Sequence, residues 1–276
     1  MLQLLTMKLL NGSELAGFIK ERQRKTVQTL ILNYKTKPKL AIIVTIDNPV
    51  INLYVNLKKK YGQDLDIDVD IYRVNEEEIE QIINKLNKDD SVHGIIVQLP
   101  IFDPTKTDEI VNLVNPLKDV DSLGDKSKFD PATPMAILWL LSGYNINLEG
   151  KKVLLIGKGK LVGEPLYKML KNSEINVEVA DRKTEDLKKL SLEADVIITA
   201  TGRPAIIYPD MIKEGATVVD AGVASEDGKV VGDLDESVYQ RNDLTVTPAK
   251  GGVGPLTVSA LFENVILAAQ RKAKID

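Results

Sequence analysis

The sequence predicts an α/β fold of two domains built on mostly parallel sheets. Three observations carry this. A chain of 276 residues is long enough for two domains. Apolar strand-like runs alternate with amphipathic helix-like segments, the β-α order that gives parallel sheets. A second such series opens in mid-chain, where the apolar run Val153-Leu154-Leu155-Ile156 leads into a turn with glycines at 157, 159 and 163.

The first series reads in order. Asn11 or Ser13 caps a long amphipathic helix to about Asn33, with Leu15, Ile19, Val27 and Leu30 among its apolar positions. Leu40 to Ile46 is a continuous apolar run, hence a strand covered on both faces. Asp47-Asn48-Pro49 is a cap followed by proline at the first helical position, and the helix is expected to reach Tyr61. Leu65, Ile67, Val69 and Ile71 alternate with polar residues as in a half-exposed strand. Asn75 to Glu78 cap a helix to about Asn87, with acidic residues at its favourable end. Gly94 to Pro100 is a buried strand ending on Gln98, and Thr107 to Asn115 is a short helix. Residues 117–122 have no clear period and read as a crossing between domains.

Thr133-Pro134 caps a helix through Trp139 to Ser142. The second series then runs through strand 152–156, helix 162–171, strand 176–180, helix 184–191 and strands 196–200 and 217–221. That order is the Rossmann-type dinucleotide-binding order. Gly228 to Asp233 reads as a short edge strand into a turn, and residues 247–255 as irregular. A last helix from Thr257 to about Lys272 is apolar enough on one face to pack back on the first domain. The expected division is therefore 1–118 plus 257–276 for a substrate domain and 119–256 for the dinucleotide-binding domain, with a cleft between them.

Composition removes several function classes. Hydrophobic residues at 43% and charged residues at 28% are ordinary for a globular protein. No apolar run is expected to reach the length of a membrane span. Met1 to Leu5 has neither a basic region nor a small-residue cleavage site, so no signal peptide is expected and a cytoplasmic location is. The absence of cysteine excludes disulfides, thiolate metal sites and cysteine nucleophiles. The single histidine, His93, starts an apolar strand and reads as structural, so no metal site is expected. A net charge of −4 opposes general nucleic-acid binding.

Several residues carry chemistry. Gly157-Lys158-Gly159 to Gly163 spaces its glycines one residue wider than the common dinucleotide fingerprint, and is either a pyrophosphate turn or only a tight strand-to-helix turn. An acid about 20 residues beyond such a turn accepts from a ribose hydroxyl; Asp181 stands there and favours NAD. Arg182, Lys183 and Lys158 instead suit a 2′-phosphate and favour NADP. Thr199 to Pro204, with Gly202, puts small residues at a strand end, where a nicotinamide or an ordinary turn fits equally. Tyr54 and Lys58 share a helix face; spacing alone favours a half-buried tyrosine beside a solvated lysine. Gln98 ends a strand where open sheets bind ligands. Asp121 is a binding carboxylate or, with Asp119 and Asp125 near it, a turn carboxylate. The glycines of 251–254 allow close backbone approach.

Together these stretches resemble the bifunctional methylenetetrahydrofolate dehydrogenase/cyclohydrolase family. The matching segments are Tyr54-Val55-x-x-Lys58, Gly94 to Pro100, Lys118-Asp119-Val120-Asp121, Pro131 to Pro134, Val162 to Pro165, Gly232-Asp233 and Gly251 to Thr257, in order over nearly the whole chain. The sequence departs from the family at Lys158 and Gly159 in the turn, at Asp181-Arg182, at Ile51, and at Ser122 and Gly124.

The resemblance implies NADP as cofactor, with NAD as the other candidate, tetrahydrofolate derivatives as substrates, and a homodimer. It implies Lys58, Gln98 and Asp121 as catalytic residues, with Gln98 orienting Lys58 by a hydrogen bond. Tyr54, Leu99, Gly254 and Pro255 would bind substrate, with Tyr54 stacked on the aminobenzoyl ring and Asp121 accepting from the pterin. Lys59, Lys60 and Lys250 would meet the glutamate tail, with solvated surface charge the favoured reading for Lys60. Gly157, Lys158, Gly159, Val162, Arg182, Lys183, Gly202 and Val223 would hold the cofactor. Competing readings are a dehydrogenase-only member, another two-domain NAD(P)-dependent dehydrogenase, and a silent nucleotide- or folate-binding protein.

Overall fold

Two parallel sheets organise the chain in the computed structural model, which describes residues 7–226 and 229–274. Met1 to Leu5 and Gly228, read above, lie outside the described residues. In chain order the elements are β1 (Lys8–Leu9), α1 (Gly12–Tyr34), β2 (Lys39–Val44), α2 (Pro49–Leu65), β3 (Asp68–Arg73), α3 (Ile79–Lys88), β4 (Gly94–Val97), α4 (Thr107–Val111) and α5 (Ala132–Gly143). Then follow β5 (Val153–Ile156), α6 (Gly163–Asn172), β6 (Val177–Ala180), α7 (Leu187–Glu193), β7 (Val196–Thr199), β8 (Thr217–Asp220), β9 (Ala224–Glu226), β10 (Lys229–Val231), β11 (Thr245–Val246) and α8 (Val253–Lys272). The chain divides into two compact units, Gly17–Ala132 with Val258–Asp276, and Met1–Ala16 with Thr133–Thr257.

In the unit of residues 17–132 and 258–276 the sheet order is β3-β2-β4, all parallel. Leu40 to Ile43 are fully buried, as a central parallel strand requires. Asn48 caps α2 by accepting from Val50 N at 2.8 Å, and Pro49 follows. The helix runs past Tyr61 because Leu65 completes its buried stripe with Ile51, Val55 and Gly62. Asp66 in the left-handed region then ends it, so β3 starts later than the alternation from Leu65 implied. Tyr61 anchors α2: its hydroxyl lies 2.8 Å from Gln23 Oε1 and 3.0 Å from Ser259 Oγ, and its ring packs on Phe262 of α8.

The segment 117–122 does not behave as a free crossing. Ile95 N donates to Lys118 O at 2.7 Å, and Ile95 pairs with Asp119 as an isolated parallel bridge. Gly94 allows this, since a Cβ there would press on Val120. Asn264 of α8 donates to Val120 O and Asp130 O, each at 2.9 Å, so the last helix packs on this unit as expected. α8 is long and apolar enough to cross a membrane, contrary to the expectation that no run would be. With 61% of its apolar window buried inside the protein, it has the placement of a core helix.

The unit of residues 1–16 and 133–257 holds a six-stranded parallel sheet, order β1-β11-β8-β7-β5-β6. β5 and β7 are buried along their whole length. β1 joins by pairing with β11, with Lys8 N donating to Leu244 O at 2.9 Å and Leu10 N to Val246 O at 2.8 Å. Residues 7–10 thus complete this sheet. The run expected to be irregular to Pro255 is helical from Val253, and Gly254 and Pro255 lie in the first turn of α8.

Candidate active site

In the unit of residues 17–132 and 258–276, α2 and the carboxyl end of β4 bring two polar side chains together. Lys58 Nζ donates to Gln98 Oε1 at 2.8 Å, and Gln98 Nε2 donates to Leu99 O at 3.0 Å. The second bond fixes the amide so that its oxygen faces the lysine. Desolvation lowers the Lys58 pKa, and the Asp121 carboxylate acts the other way. Lys58 is therefore a lysine biased toward its neutral form, unlike a solvated surface lysine. Tyr54 lies one turn earlier on α2 and is half-exposed; Val50, Leu53 and Leu57 make the exposed face around it apolar. Lys59 and Lys60 are exposed, and Lys60 pairs with Asp64 at 2.5 Å.

The structure separates the carboxylates that spacing left alike. Asp119 is buried and serves its turn, accepting from Gly124 N at 2.9 Å and Leu123 N at 3.3 Å. Burial pushes its pKa up to about 6. Lys118 caps the end of α3 by donating to the carbonyls of Leu86, Asn87 and Asp89. Asp121 is only half-buried and within electrostatic reach of Lys58. His93 is structural: Nδ1 accepts from Lys39 N at 3.2 Å, and burial pushes its pKa down to about 4.

In the unit of residues 1–16 and 133–257, the glycine turn has the form a dinucleotide needs. Gly157 has φ +102°, and a Cβ there would come 2.6 Å from Ala200 O. Gly163 lets α6 approach the turn, since a Cβ would overlap Gly157 O. Gly159 has open space on its Cα, and Val162 is half-buried before α6. Lys158 is exposed, but its Nζ lies 3.3 Å from Glu164 and 5.2 Å from the Tyr167 ring centroid. Arg182 and Lys183 are exposed in the turn after β6. Asp181 Oδ1 accepts from Lys183 N at 2.8 Å, so that carboxylate caps its own turn. Gly202, at φ +64°, meets Val223: a Cβ on Gly202 would lie 3.1 Å from Val223 O. Gly254 and Pro255 are likewise in this unit, after a loop pinned by Ser13 N donating to Gly251 O at 2.9 Å.

Sequence reasoning gave no role to one feature of this unit, the adjoining carboxylates of Asp220, half-buried, and Asp233. Asp233 is fully buried. The available signal was an acid closing an apolar strand and another directly after Gly232.

Comparison with known proteins gives consistent results. The profile for the tetrahydrofolate dehydrogenase/cyclohydrolase catalytic domain matches residues 10–121, and that for the tetrahydrofolate dehydrogenase/cyclohydrolase NAD(P)-binding domain matches residues 131–273. The chain is 39% identical over 281 residues to the bifunctional protein FolD of Campylobacter jejuni, covering 96% of this chain and 99% of that one. The crystal structure of FolD from Campylobacter jejuni superposes with TM-score 0.90 at 39% identity, covering 96% and 99% of the two chains. The FolD of Trypanosoma brucei, solved with NADP and an inhibitor, gives TM-score 0.90 at 27% identity, covering 96% and 98%.

Proposed function

Because the chain belongs to the tetrahydrofolate dehydrogenase/cyclohydrolase family, we propose that Lys58, Gln98 and Asp121 carry its two reactions. These are oxidation of 5,10-methylenetetrahydrofolate to the 5,10-methenyl form with NADP, and hydrolysis of the methenyl form to 10-formyltetrahydrofolate. The observation that carries the assignment is the desolvated Lys58 ammonium held by Gln98 at 2.8 Å.

The bound nicotinamide ring supplies a hydride acceptor. The resulting cation is shared by N5 and N10 of the folate, so the first reaction asks the chain for placement of the methylene rather than for an acid or base. Tyr54, with the apolar face around it, offers a flat surface to the aminobenzoyl ring. Asp121 accepts from the pterin's exocyclic amine and ring N–H, a donor pair that fits a carboxylate.

Hydrolysis does need proton transfer. Lys58 in its neutral form takes the proton from the water that attacks the methenyl carbon. As the bond from that carbon to N5 breaks, the Lys58 ammonium returns a proton to N5, and the hydroxyl proton of the adduct leaves to solvent as the formyl C=O forms. A bound methenyl cation lowers the lysine's pKa further, while Asp121 keeps the ammonium accessible for the second step. Gln98, locked by its bond to Leu99 O, sets the direction of Nζ.

The residues of the glycine turn fit the dinucleotide. Gly157, Gly159 and Val162 shape a turn open to a pyrophosphate, and Gly202 with Val223 forms a second rim at the strand ends. For the 2′-phosphate of NADP, Arg182, Lys183 and Lys158 are the exposed cations, and Lys158 already shares its charge with Glu164. The same resemblance supports a homodimer, checked by sedimentation equilibrium, and a cytoplasmic location, checked by cell fractionation.

The test follows absorbance. Methylenetetrahydrofolate with NADP should yield NADPH, and the methenyl form should be hydrolysed in a separate assay. Lys58→Gln should abolish hydrolysis while folate binding stays measurable. An undiminished hydrolysis rate would remove Lys58 from the mechanism.

A further inference from the structure

Asp220 closes β8, and Asp233 follows β10. Neither carboxylate has an ion-pair partner among the described residues; both are satisfied by backbone N–H groups and a hydroxyl. Asp220 Oδ1 accepts from Thr199 Oγ1 at 3.0 Å, from Gly222 N at 2.9 Å and from Asp233 N at 3.1 Å, while Oδ2 accepts from Leu234 N at 3.1 Å. Asp233 Oδ2 accepts from Thr201 N at 2.7 Å, and Oδ1 from Arg203 N at 2.9 Å.

The fit is reciprocal. A Cβ on Gly222 would collide with the Asp233 carboxylate, and one on Gly232 with the Asp220 carboxylate. Each aspartate thus fills the space that a glycine beside the other leaves. The pair ties together the chain after β7, the chain after β8 and residues 232–234.

Its placement is specific. Thr201 and Arg203 are the two neighbours of Gly202, and Asp233 holds the N–H of both. Gly202 is suspended between two tethers at a φ that favours glycine. Asp220 holds Gly222 N, next to Val223, whose carbonyl backs Gly202. In an open parallel sheet this carboxyl-end rim is where ligands bind. Burying the Asp233 carboxylate beside the half-buried Asp220, without a cation among the described residues, is unfavourable, and burial together with the charge of Asp220 pushes the Asp233 pKa up. An apolar packing pair would avoid that cost. Only a group with several acceptor positions and no donor can hold this many N–H groups at once.

We propose that Asp220 and Asp233 are positioning residues for the dinucleotide, fixing the rim formed by Gly202 and Val223 for its nicotinamide half. The proposal rests on the assignment of that rim to the cofactor given above. The pair touches no cofactor atom itself and acts through the backbone of residues 201–203 and 222.

The experiment is calorimetric binding to the full-length chain without folate. Two probes are used, NADP and adenosine 2′,5′-bisphosphate, which carries only the adenosine end. In Asp233→Asn one acceptor oxygen becomes an amine that faces a backbone N–H, so the tether to Thr201 or Arg203 breaks. The Kd for NADP should rise about 10-fold or more, as loss of a hydrogen bond to a charged acceptor implies, while the Kd for the bisphosphate stays within about twofold. Thr199→Val is the milder variant: it keeps the side-chain shape, removes one donor to Asp220, and should raise the NADP Kd by roughly 3-fold. If Asp233→Asn does not fold, Thr199→Val decides alone. Unchanged NADP affinity in the folded variants overturns the proposal. Equal weakening of both probes also overturns it, since a general structural role would move both. If the unsubstituted chain binds neither NADP nor NAD, the dinucleotide reading itself fails, a result separate from the behaviour of the variants.

Discussion

Replacing Lys58 by methionine should make the protein inactive as a cyclohydrolase while removing a pH-dependent destabilisation. The Lys58 pKa in the folded chain lies below its ordinary value of 10.5, chiefly through desolvation. Between the folded and unfolded values the unfolded chain holds a proton that the folded chain has released. Stability of the unsubstituted protein therefore falls as pH drops from about 10.5 through the folded pKa, by about 1.4 kcal/mol for each unit of lowering. Methionine carries no proton in either state. Against this stands Gln98 Oε1, which loses the donor at 2.8 Å; in a half-buried site that costs about 1 kcal/mol. Lys58→Met should thus be slightly less stable than the unsubstituted chain near pH 10.5, and the difference should shift in its favour toward pH 7. Urea unfolding at pH 7 and at pH 10 measures both. Methenyl hydrolysis should fall about 10²–10⁴-fold, the usual worth of a positioned general base, or about 3–5 kcal/mol of barrier. A stability difference that does not change with pH would refute the desolvated lysine, and the general-base role with it.

His93→Asn keeps an acceptor for Lys39 N but removes the imidazole. The folded pKa of about 4 lies below the ordinary 6.5, so the unfolded chain gains a proton first as pH falls, and the unsubstituted protein should lose up to about 3 kcal/mol relative to the variant between pH 6.5 and 4; parallel denaturation curves at the two pH values would contradict the burial. Gly163→Ala puts a methyl into Gly157 O, and displacing α6 from the turn should cost about 1–3 kcal/mol of stability and weaken NADP binding, both read by thermal melts with and without NADP. Arg182→Ala should raise the KM for NADP and spare that for NAD; equal effects on the two would transfer the 2′-phosphate to Lys183 or Lys158.

The main elements were legible where one local cause decided them. Leu40 to Ile43 are apolar without interruption because both faces are covered, and Asn48-Pro49 starts α2 by capping and by a fixed φ. Sequence reading failed where distant residues decided. β1 and β11 are two-residue strands, too short to show a period, and exist because they pair with each other and β11 with β8. Leu65 fits a strand alternation and a helix stripe equally; packing with Ile51, Val55 and Gly62 chooses the helix. Residues 117–122 look patternless because only a bridge at Ile95 and Asp119 holds them beside β4.

The site divides the same way. Tyr54 and Lys58 on one helix face and Gln98 at a strand end follow from local geometry, and the 2.8 Å bond between Lys58 and Gln98 matches the bond expected from the resemblance. At the adenosine end, spacing counts Lys158 as a free cation and Asp181 as a free carboxylate. The structure gives Lys158 a partner in Glu164, on the first turn of α6, and turns one Asp181 oxygen onto Lys183 N. Both charges are thus partly used within the chain before any ligand arrives. A 2′-phosphate would then be met mainly by Arg182 and Lys183, which follow Asp181 directly, and the acid that favours NAD in a sequence reading is less opposed to NADP than its charge suggests. Residue type and spacing record which charges are present; which of them remain available to a ligand depends on contacts such as Lys158 with Glu164, made only once α6 is packed against the glycine turn.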